Sequence, residues 1–273
     1  MRRNLSVFFT ITVLLFSACS TVEPTATSTP PKLILKTEEK DVYCPSDNEQ
    51  AREAYNKAKE LSIQTKQIEA ERLCRQAIEL DPKYCDAMDN LGLLLRRQGR
   101  IEEAIVWYKK SLAVFPDNTV AIQNLAVAYR LQGKSDEAIA EYEKLTPVAP
   151  DNPEGYFGLG STYLDLQRPE QAITYLKRAE ELYIQNNSPY VVDTQYYLGF
   201  AYYLLQDCQK AKAYLEPIYS QLDEDGGINY VLGACYIISE PKDLEMARKY
   251  IFKAQELGVE IPVDLLKALE NGK

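Results

Sequence analysis

The chemistry open to this 273-residue chain is limited by its lack of histidine. Histidine is the commonest general base and transition-metal ligand, so His-dependent triads and zinc-helix motifs are excluded. Two carboxylates alone can hydrolyse a glycoside, which leaves an acid-based hydrolase open. However, acidic pairs such as Glu102-Glu103 and Asp136-Glu137 precede the apolar face of a predicted helix, where acids favour the helix dipole. A structural role accounts for most of these acids, and we predict no enzyme, no metal site and no cofactor.

One short string looks like part of a nucleotide site. Gln132-Gly133-Lys134-Ser135 is similar to the end of a phosphate-binding loop. The earlier glycine of that motif would fall at position 128, which is Ala128. The string is therefore interpreted as a turn, and no nucleotide is expected as a ligand.

A dipeptide of Leu followed by Gly or Ala recurs along most of the chain. It occupies 91–92, 125–126, 159–160, 198–199 and 232–233, with steps of 34, 34, 39 and 34 residues. With the residue after Leu numbered position 8, positions 4, 7, 8 and 11 share one helical face, and positions 20, 24 and 27 share a face of a second helix. A period of this size predicts helical hairpins that stack on copies of themselves.

This pattern resembles the tetratricopeptide repeat, which has Leu-Gly at positions 7 and 8, Tyr at 11, Ala at 20 and 27, and Pro at 32. The resemblance implies an all-α solenoid of helix-turn-helix units, wound as a right-handed superhelix whose concave groove binds proteins or peptides. The predicted array covers 44–261, with six repeats at 51–84, 85–118, 119–152, 153–186, 192–225 and 226–261.

The array has predicted irregularities and a predicted end. The first repeat lacks Leu-Gly, and five residues are inserted at 187–191. Pro217 predicts a kink or an early stop in the second helix of the fifth repeat. The segment 262–273 is expected to form a capping helix, because a stacked array exposes an apolar edge at its last repeat.

The amino terminus has the plan of a secretory signal. Residues 1–18 contain a basic start, an apolar run too short for an ordinary membrane span, and a small-residue ending. The string from Phe16 to Cys19 resembles the bacterial lipobox, although that motif usually has Leu where Phe16 stands. The resemblance implies lipidation of Cys19 with palmitate. It also implies that the protein is anchored to a membrane on the extracytoplasmic side of the cell envelope, and the outer membrane is one such location. The alternative is a simple cleaved signal in which Cys19 has no role.

Residues 19–43 and the net charge constrain the surroundings and the partners. The segment after Cys19 is rich in Ser, Thr and Pro, which predicts a disordered, extended tether. Removing residues 1–18 takes away two of the 31 basic residues and leaves 29 against 40 acidic ones, a net charge of about −11. Nucleic acid is not expected as a partner of such a chain. Basic or neutral partners fit the charge, and solubility alone explains it equally well.

Five cysteines follow the lipobox, and an odd number leaves at least one free thiol. Cys44 precedes the first array helix and Cys85 begins the next first helix, so these two are candidates for a disulfide. Cys208 and Cys235 form a second candidate pair. Cys74 occupies core position 24, which predicts a buried, inert thiol.

In the repeat family the first helices line the groove, mainly through positions 2, 5, 6, 9, 12 and 13. Position 6 reads Asn56, Asn90 and Asn124, and such amides can hold the backbone of an extended peptide. The alternative is that Asn is simply common at this position in the family. The family's carboxylate clamp for peptide C-termini is not reproduced, since only Asn90 carries over cleanly and Tyr55 stands where its first Lys would be.

Further along the chain, several of these groove positions become aromatic. The residues concerned are Phe157, Tyr196, Tyr197, Phe200, Tyr203 and Tyr230. A helix that is apolar all round is either buried or offers its spare face to a partner, and tyrosine suits such contacts. The alternative is packing against adjacent first helices or against the 187–191 insertion.

These features together predict a lipid-anchored extracytoplasmic scaffold or adaptor that binds proteins or peptides in its groove. In plan it resembles bacterial repeat lipoproteins that assist pilus assembly, outer-membrane protein insertion or cell-wall hydrolase recruitment, and no motif selects among these roles. The alternatives are an acid-based hydrolase of cell-wall glycan and a structural spacer without a specific ligand.

Overall fold

The computed structural model of this protein describes residues 44–64 and 66–270. The predicted signal at 1–18, the lipidation candidate Cys19 and the predicted tether at 19–43 lie outside the described residues. Within the described part of the chain there are fourteen helices and no strand. No helix in this part combines the length and the apolar character that crossing a membrane requires.

The first four predicted repeats are regular helical hairpins. Their helices are α1 Glu49–Ile63, α2 Gln67–Leu80, α3 Cys85–Arg97, α4 Ile101–Val114, α5 Thr119–Leu131, α6 Ser135–Val148, α7 Pro153–Asp165 and α8 Pro169–Gln185. In each hairpin the odd-numbered helix is the first helix of the repeat and the even-numbered one is the second.

The rest of the array is less regular. Its helices are α9 Val191–Leu204, α10 Cys208–Leu215, α11 Tyr219–Leu222, α12 Gly226–Ile238, α13 Leu244–Glu256 and α14 Val263–Glu270. α10 ends two residues before Pro217, which cannot continue the helical hydrogen-bond pattern. α14 stands in the place of the expected capping helix, and it buries Leu265 and Leu269 against the hydrophobic core of its unit.

The Leu-Gly dipeptide has a direct packing cause. A Cβ atom placed at Gly92, position 8 of its repeat, would overlap the ring of Tyr108 at position 24. A Cβ atom at Gly199 would likewise overlap the side chain of Leu215, again at position 24. The first helix needs a tiny residue at this point because the second helix presses a large side chain onto its backbone.

The described residues fall into two compact units, one that ends at Thr162 and one that begins at Tyr163. In the amino-terminal unit, Leu91, Leu94 and Leu125 are among the buried core side chains. In the carboxy-terminal unit, a tyrosine ring of the first helix stacks on a tyrosine ring of the second helix within each hairpin. The stacked pairs are Tyr163 on Tyr175, Tyr202 on Tyr214 and Tyr236 on Tyr250, with ring centroids 5.5, 5.6 and 5.8 Å apart.

Candidate partner-binding site

Position 5 of the second repeat connects that repeat to the beginning of the third. The Nδ2 atom of Asn118 donates hydrogen bonds to Oδ2 of Asp89, at 2.7 Å, and to Oγ of Ser111, at 3.0 Å. Asn118 also caps α5, because its Oδ1 accepts from the backbone N–H groups of Val120 and Ala121. One buried side chain therefore joins α3, α4 and α5.

The carboxyl group of Asp89 is unusual because it is buried while only one of its two oxygens accepts a described hydrogen bond. Burial raises the pKa of Asp89 to about 7, although hydrogen bonds with Ser111 and Asn118 oppose the shift and the charge of Asp86 adds to it. Its Oδ1 atom is buried and has no hydrogen-bond partner among the described residues. Asp89 thus acts as an internal acceptor for the cap of α5 and is not exposed to a ligand.

The same arrangement occurs in the carboxy-terminal unit with different residues. The hydroxyl of Tyr196, at position 5, donates a 3.1 Å hydrogen bond to Oδ1 of Asp225. That oxygen also accepts from the N–H of Ile228 at 2.9 Å and so caps α12. Burial raises the pKa of Tyr196, and the charge of Asp225 raises it further. At these two junctions, the residue at position 5 is therefore hydrogen-bonded to the residue that caps the first helix of the next repeat.

The aromatic residues named from the sequence differ in their accessibility. Four are buried, with exposed fractions of 4, 9, 5 and 0%: Phe157, Tyr196, Phe200 and Tyr230. Two are half-buried: Tyr197 and Tyr203. In the carboxy-terminal unit the rings pack on one another, with centroids 4.7 Å apart for Tyr196 and Phe200 and 6.3 Å for Tyr203 and Tyr230. The expectation that all six face a partner is corrected for the four buried ones, because packing inside the array covers them.

The three position-6 asparagines also differ from one another. Asn56 is exposed, whereas Asn90 is half-buried and donates from Nδ2 to Sγ of Cys74 at 3.5 Å. Asn124 is only 3% exposed, and its Oδ1 accepts from Nη2 of Arg96 at 3.3 Å. A uniform ladder of three accessible amides is therefore not present, and Asn56 and Asn90 are the members that a partner can reach.

Sequence reasoning missed two residues on the same side of the first helices. Arg96 and Arg97 occupy groove positions 12 and 13 in the last turn of α3. Nη1 of Arg97 donates to Oγ of Ser62, at the end of α1, at 3.4 Å. Partial burial lowers the pKa of Arg97, and the charge of Arg96 lowers it further. The adjacency of two arginines at groove positions was the available signal. We call the accessible surface formed by Asn56, Ser62, Asn90, Arg96 and Arg97 the first-helix face.

The cysteines are arranged in two pairs and one separate thiol. The structure brings Cys44 to Cys85 and Cys208 to Cys235, with Cα atoms 5.4 and 5.0 Å apart, within the range of a disulfide. Cys74 is fully buried, and burial raises the pKa of its thiol to about 12. In the described residues no group of three or more Cys, Asp or Glu side chains could hold a metal ion.

Solved structures with a similar fold are repeat proteins of the same kind. A chain of the APC/C hetero-tetramer Cut9–Hcn1 is 17% identical with a TM-score of 0.66, over 81% of this chain and 42% of that one. PilF from Pseudomonas aeruginosa is 18% identical with a TM-score of 0.68, over 82% of this chain and 98% of that one. YrrB, described as a tetratricopeptide repeat protein with an unusual peptide-binding site, is 22% identical with a TM-score of 0.56, over 72% and 96%. At these identities the likeness concerns the fold.

A family model described as tetratricopeptide repeat matches the chain three times, at 84–151, 118–185 and 153–223. Together these matches span more than half of the 273 residues and agree with the hairpins of the structure. Proteins of this kind are generally scaffolds for protein–protein interaction and are not catalysts. The spacing of Leu-Gly, the stacked hairpins and the family matches lead to one conclusion: the chain belongs to the tetratricopeptide repeat family.

Proposed function

We propose that this protein is a lipid-anchored extracytoplasmic scaffold that binds a protein or peptide on its first-helix face, within the assembly of envelope complexes. The observation that carries the binding part is the accessible polar surface of α1 and α3. Asn56 is exposed and Asn90 is partly exposed, so their amides are available to the backbone of an extended chain. The peptide-binding site of YrrB, a protein of similar fold, supports this use of the repeat.

The anchoring part of the proposal rests on the sequence of the amino terminus. The signal-like residues 1–18 end at Cys19 with the small residues Ser17 and Ala18 before it. Residues 19–43 would separate the lipid from the array. A chain of this length in polyproline geometry would span up to roughly 80 Å, at about 3.1 Å per residue.

Site-specific photo-cross-linking tests the binding part. A photoreactive amino acid placed at Asn56 or Asn90 in cells that make the full-length protein should capture the same partner. The control position is Val106 on α4, a second helix, where the side chain is 50% exposed. Capture from Val106 alone, or equal capture from all three positions, would contradict binding at the first-helix face.

Metabolic labelling tests the anchor. Radioactive palmitate should label the wild-type protein and leave Cys19→Ser unlabelled. Cys74→Ser is the matched control, because Cys74 is buried and should not affect labelling. Labelling of Cys19→Ser would contradict the anchor and leave the binding part of the proposal intact.

A further inference from the structure

We propose that the carboxy-terminal ends of α1 and α3 form a site for an acidic peptide segment. Arg96 and Arg97 would bind its carboxylates, and Ile63 would contact an apolar side chain of the same segment. This inference rests on the proposed function, because it specifies the chemical class of the partner that the first-helix face binds.

The first step is that these two arginines have neutral partners. The described hydrogen bonds of Arg96 and Arg97 are to the amide oxygen of Asn124 and the hydroxyl of Ser62. Nε of Arg96 is buried and out of reach of a ligand, so only the terminal N–H groups of this side chain count as available. A guanidinium carries five N–H donors and binds carboxylates with two parallel hydrogen bonds, so both residues retain donors for an anion.

The neighbouring arginines differ because they have acidic partners within the protein. Arg100 contacts Glu71 at 2.9 Å and Glu103 at 2.6 Å, and Arg75 contacts Glu71 at 2.7 Å. The lack of acidic partners at Arg96 and Arg97 is not caused by a shortage of acids, since the chain has 40 acidic and 31 basic residues. No described ion pair offsets the positive charge of Arg96 and Arg97. Partial burial lowers the pKa of Arg97, and the nearby charge of Arg96 lowers it further. A bound carboxylate would relieve this repulsion.

The second step is an exposed apolar residue that follows the hydrogen-bond partner of Arg97 in the chain. Ile63 follows Ser62, the residue that accepts the hydrogen bond of Arg97, and its side chain is 84% exposed. A large exposed aliphatic side chain one residue from the hydrogen-bond partner of Arg97 favours a ligand with both acidic and apolar residues.

The third step separates a peptide from other anions. Arg96 is half-buried, and its Nη2 atom donates a hydrogen bond to Asn124 on α5. A narrow extended peptide can approach such a site. The net charge of −9 repels a short acidic segment less than a long polyanion, because fewer like charges approach the chain.

A structural role is the competing explanation, since cations in the last turn of α3 are favoured by the helix dipole. Binding measurements distinguish the two roles. Full-length protein purified in neutral detergent would be titrated into two fluorescein-labelled peptides of about ten residues, one alternating Glu with Leu and one alternating Gln with Leu, and anisotropy recorded. We expect the Glu peptide to bind at least about tenfold more tightly than the Gln peptide.

Charge-removing variants assign the effect to the site. Arg96→Gln combined with Arg97→Gln should weaken binding of the Glu peptide by at least about tenfold and leave the Gln peptide unchanged. Lys109→Gln combined with Lys110→Gln is the matched control, because it removes an adjacent pair of charges from the exposed face of α4; binding should change by less than about twofold. If the double arginine variant does not fold, Arg97→Gln alone should still weaken the Glu peptide by about threefold.

Equal binding of the two peptides, or equal effects of the arginine and lysine variants, would overturn the acidic-peptide site and leave the proposed scaffold standing. Arginine-dependent binding to phosphatidylglycerol vesicles without binding to the Glu peptide would also overturn it. Failure of the scaffold itself would appear separately, as absence of photo-cross-linking from Asn56 and Asn90.

Discussion

The hydroxyl of Tyr196 donates a hydrogen bond to Asp225, the residue that caps α12. The two residues are 29 positions apart, which is the separation between position 5 of one repeat and the residue before the next repeat. Asp89 and Asn118 have the same separation and are also hydrogen-bonded. In this pair the acid is at position 5 and the capping residue is the asparagine. At these two junctions, one polar side chain inside a hairpin therefore supports the first turn of the following hairpin.

Tyr196→Phe should destabilise the carboxy-terminal unit. The ring keeps its packing on Phe200, but the cap loses one hydrogen bond in a buried setting, so we expect a loss of about 1–2 kcal/mol in the free energy of unfolding. Urea unfolding followed by circular dichroism measures it. Tyr214→Phe is the control, since the ring stacked on Tyr202 is retained and a change below about 0.5 kcal/mol is expected. Equal losses of unfolding free energy in the two variants would contradict a stabilising role for the hydrogen bond between Tyr196 and Asp225.

Asp89→Asn should change how stability depends on pH. The pKa of Asp89 is raised from 3.8 to about 7 in the folded protein, because burial favours the protonated carboxyl group. The contribution of this group to the free energy of unfolding is therefore fully present below the unfolded pKa and is lost as pH rises through 7. The amide keeps an acceptor for Asn118 and does not ionise. Relative to wild type, the variant should gain stability between pH 4 and pH 8, by up to roughly 4 kcal/mol. Urea titrations of both proteins across this pH range give the difference between their free energies of unfolding. The contributions of the other titrating groups cancel in this difference. A difference that is constant with pH would contradict the prediction.

Gly92→Ala should destabilise the amino-terminal unit, because the added Cβ would overlap the ring of Tyr108. We expect a loss of about 1–3 kcal/mol, the usual cost of overpacking a core. Thermal unfolding measures the change. The same substitution in a Tyr108→Leu background should cost less, since the overlapping ring is gone, and an unchanged penalty there would show that the contact is not the cause.

Cys44→Ser combined with Cys85→Ser should loosen the first repeat under oxidising conditions. The pair closes a loop over a sequence separation of 41 that contains both α1 and α2. Opening a loop of this size should lower the free energy of unfolding by about 3–4 kcal/mol. Hydrogen exchange of α1 and α2 amides should be faster in the double variant than in the oxidised wild type. Reductant should produce the same acceleration in the wild type and no further change in the variant.

The sequence determined the hairpin architecture because its cause is local and repeated. In the hairpins that contain Gly92 and Gly199, a tiny residue at position 8 contacts a large residue at position 24. Because this contact lies within one hairpin, it recurs in the sequence with the period of the repeat. Pro217 also predicted the early end of α10, because proline acts on its own helix. Family membership followed from the same period.

Only the tertiary structure decided which side chains of the first helices a partner can reach. Periodicity assigns Tyr196, Phe200 and Asn124 to a helical face, but it does not say whether another helix covers that face. Tyr196 and Phe200 are buried by packing within their unit. The side-chain oxygen of Asn124 accepts a hydrogen bond from Arg96 of the preceding repeat. Such contacts join residues about 30 positions apart and depend on how neighbouring hairpins are set against each other, so no single segment of sequence contains them.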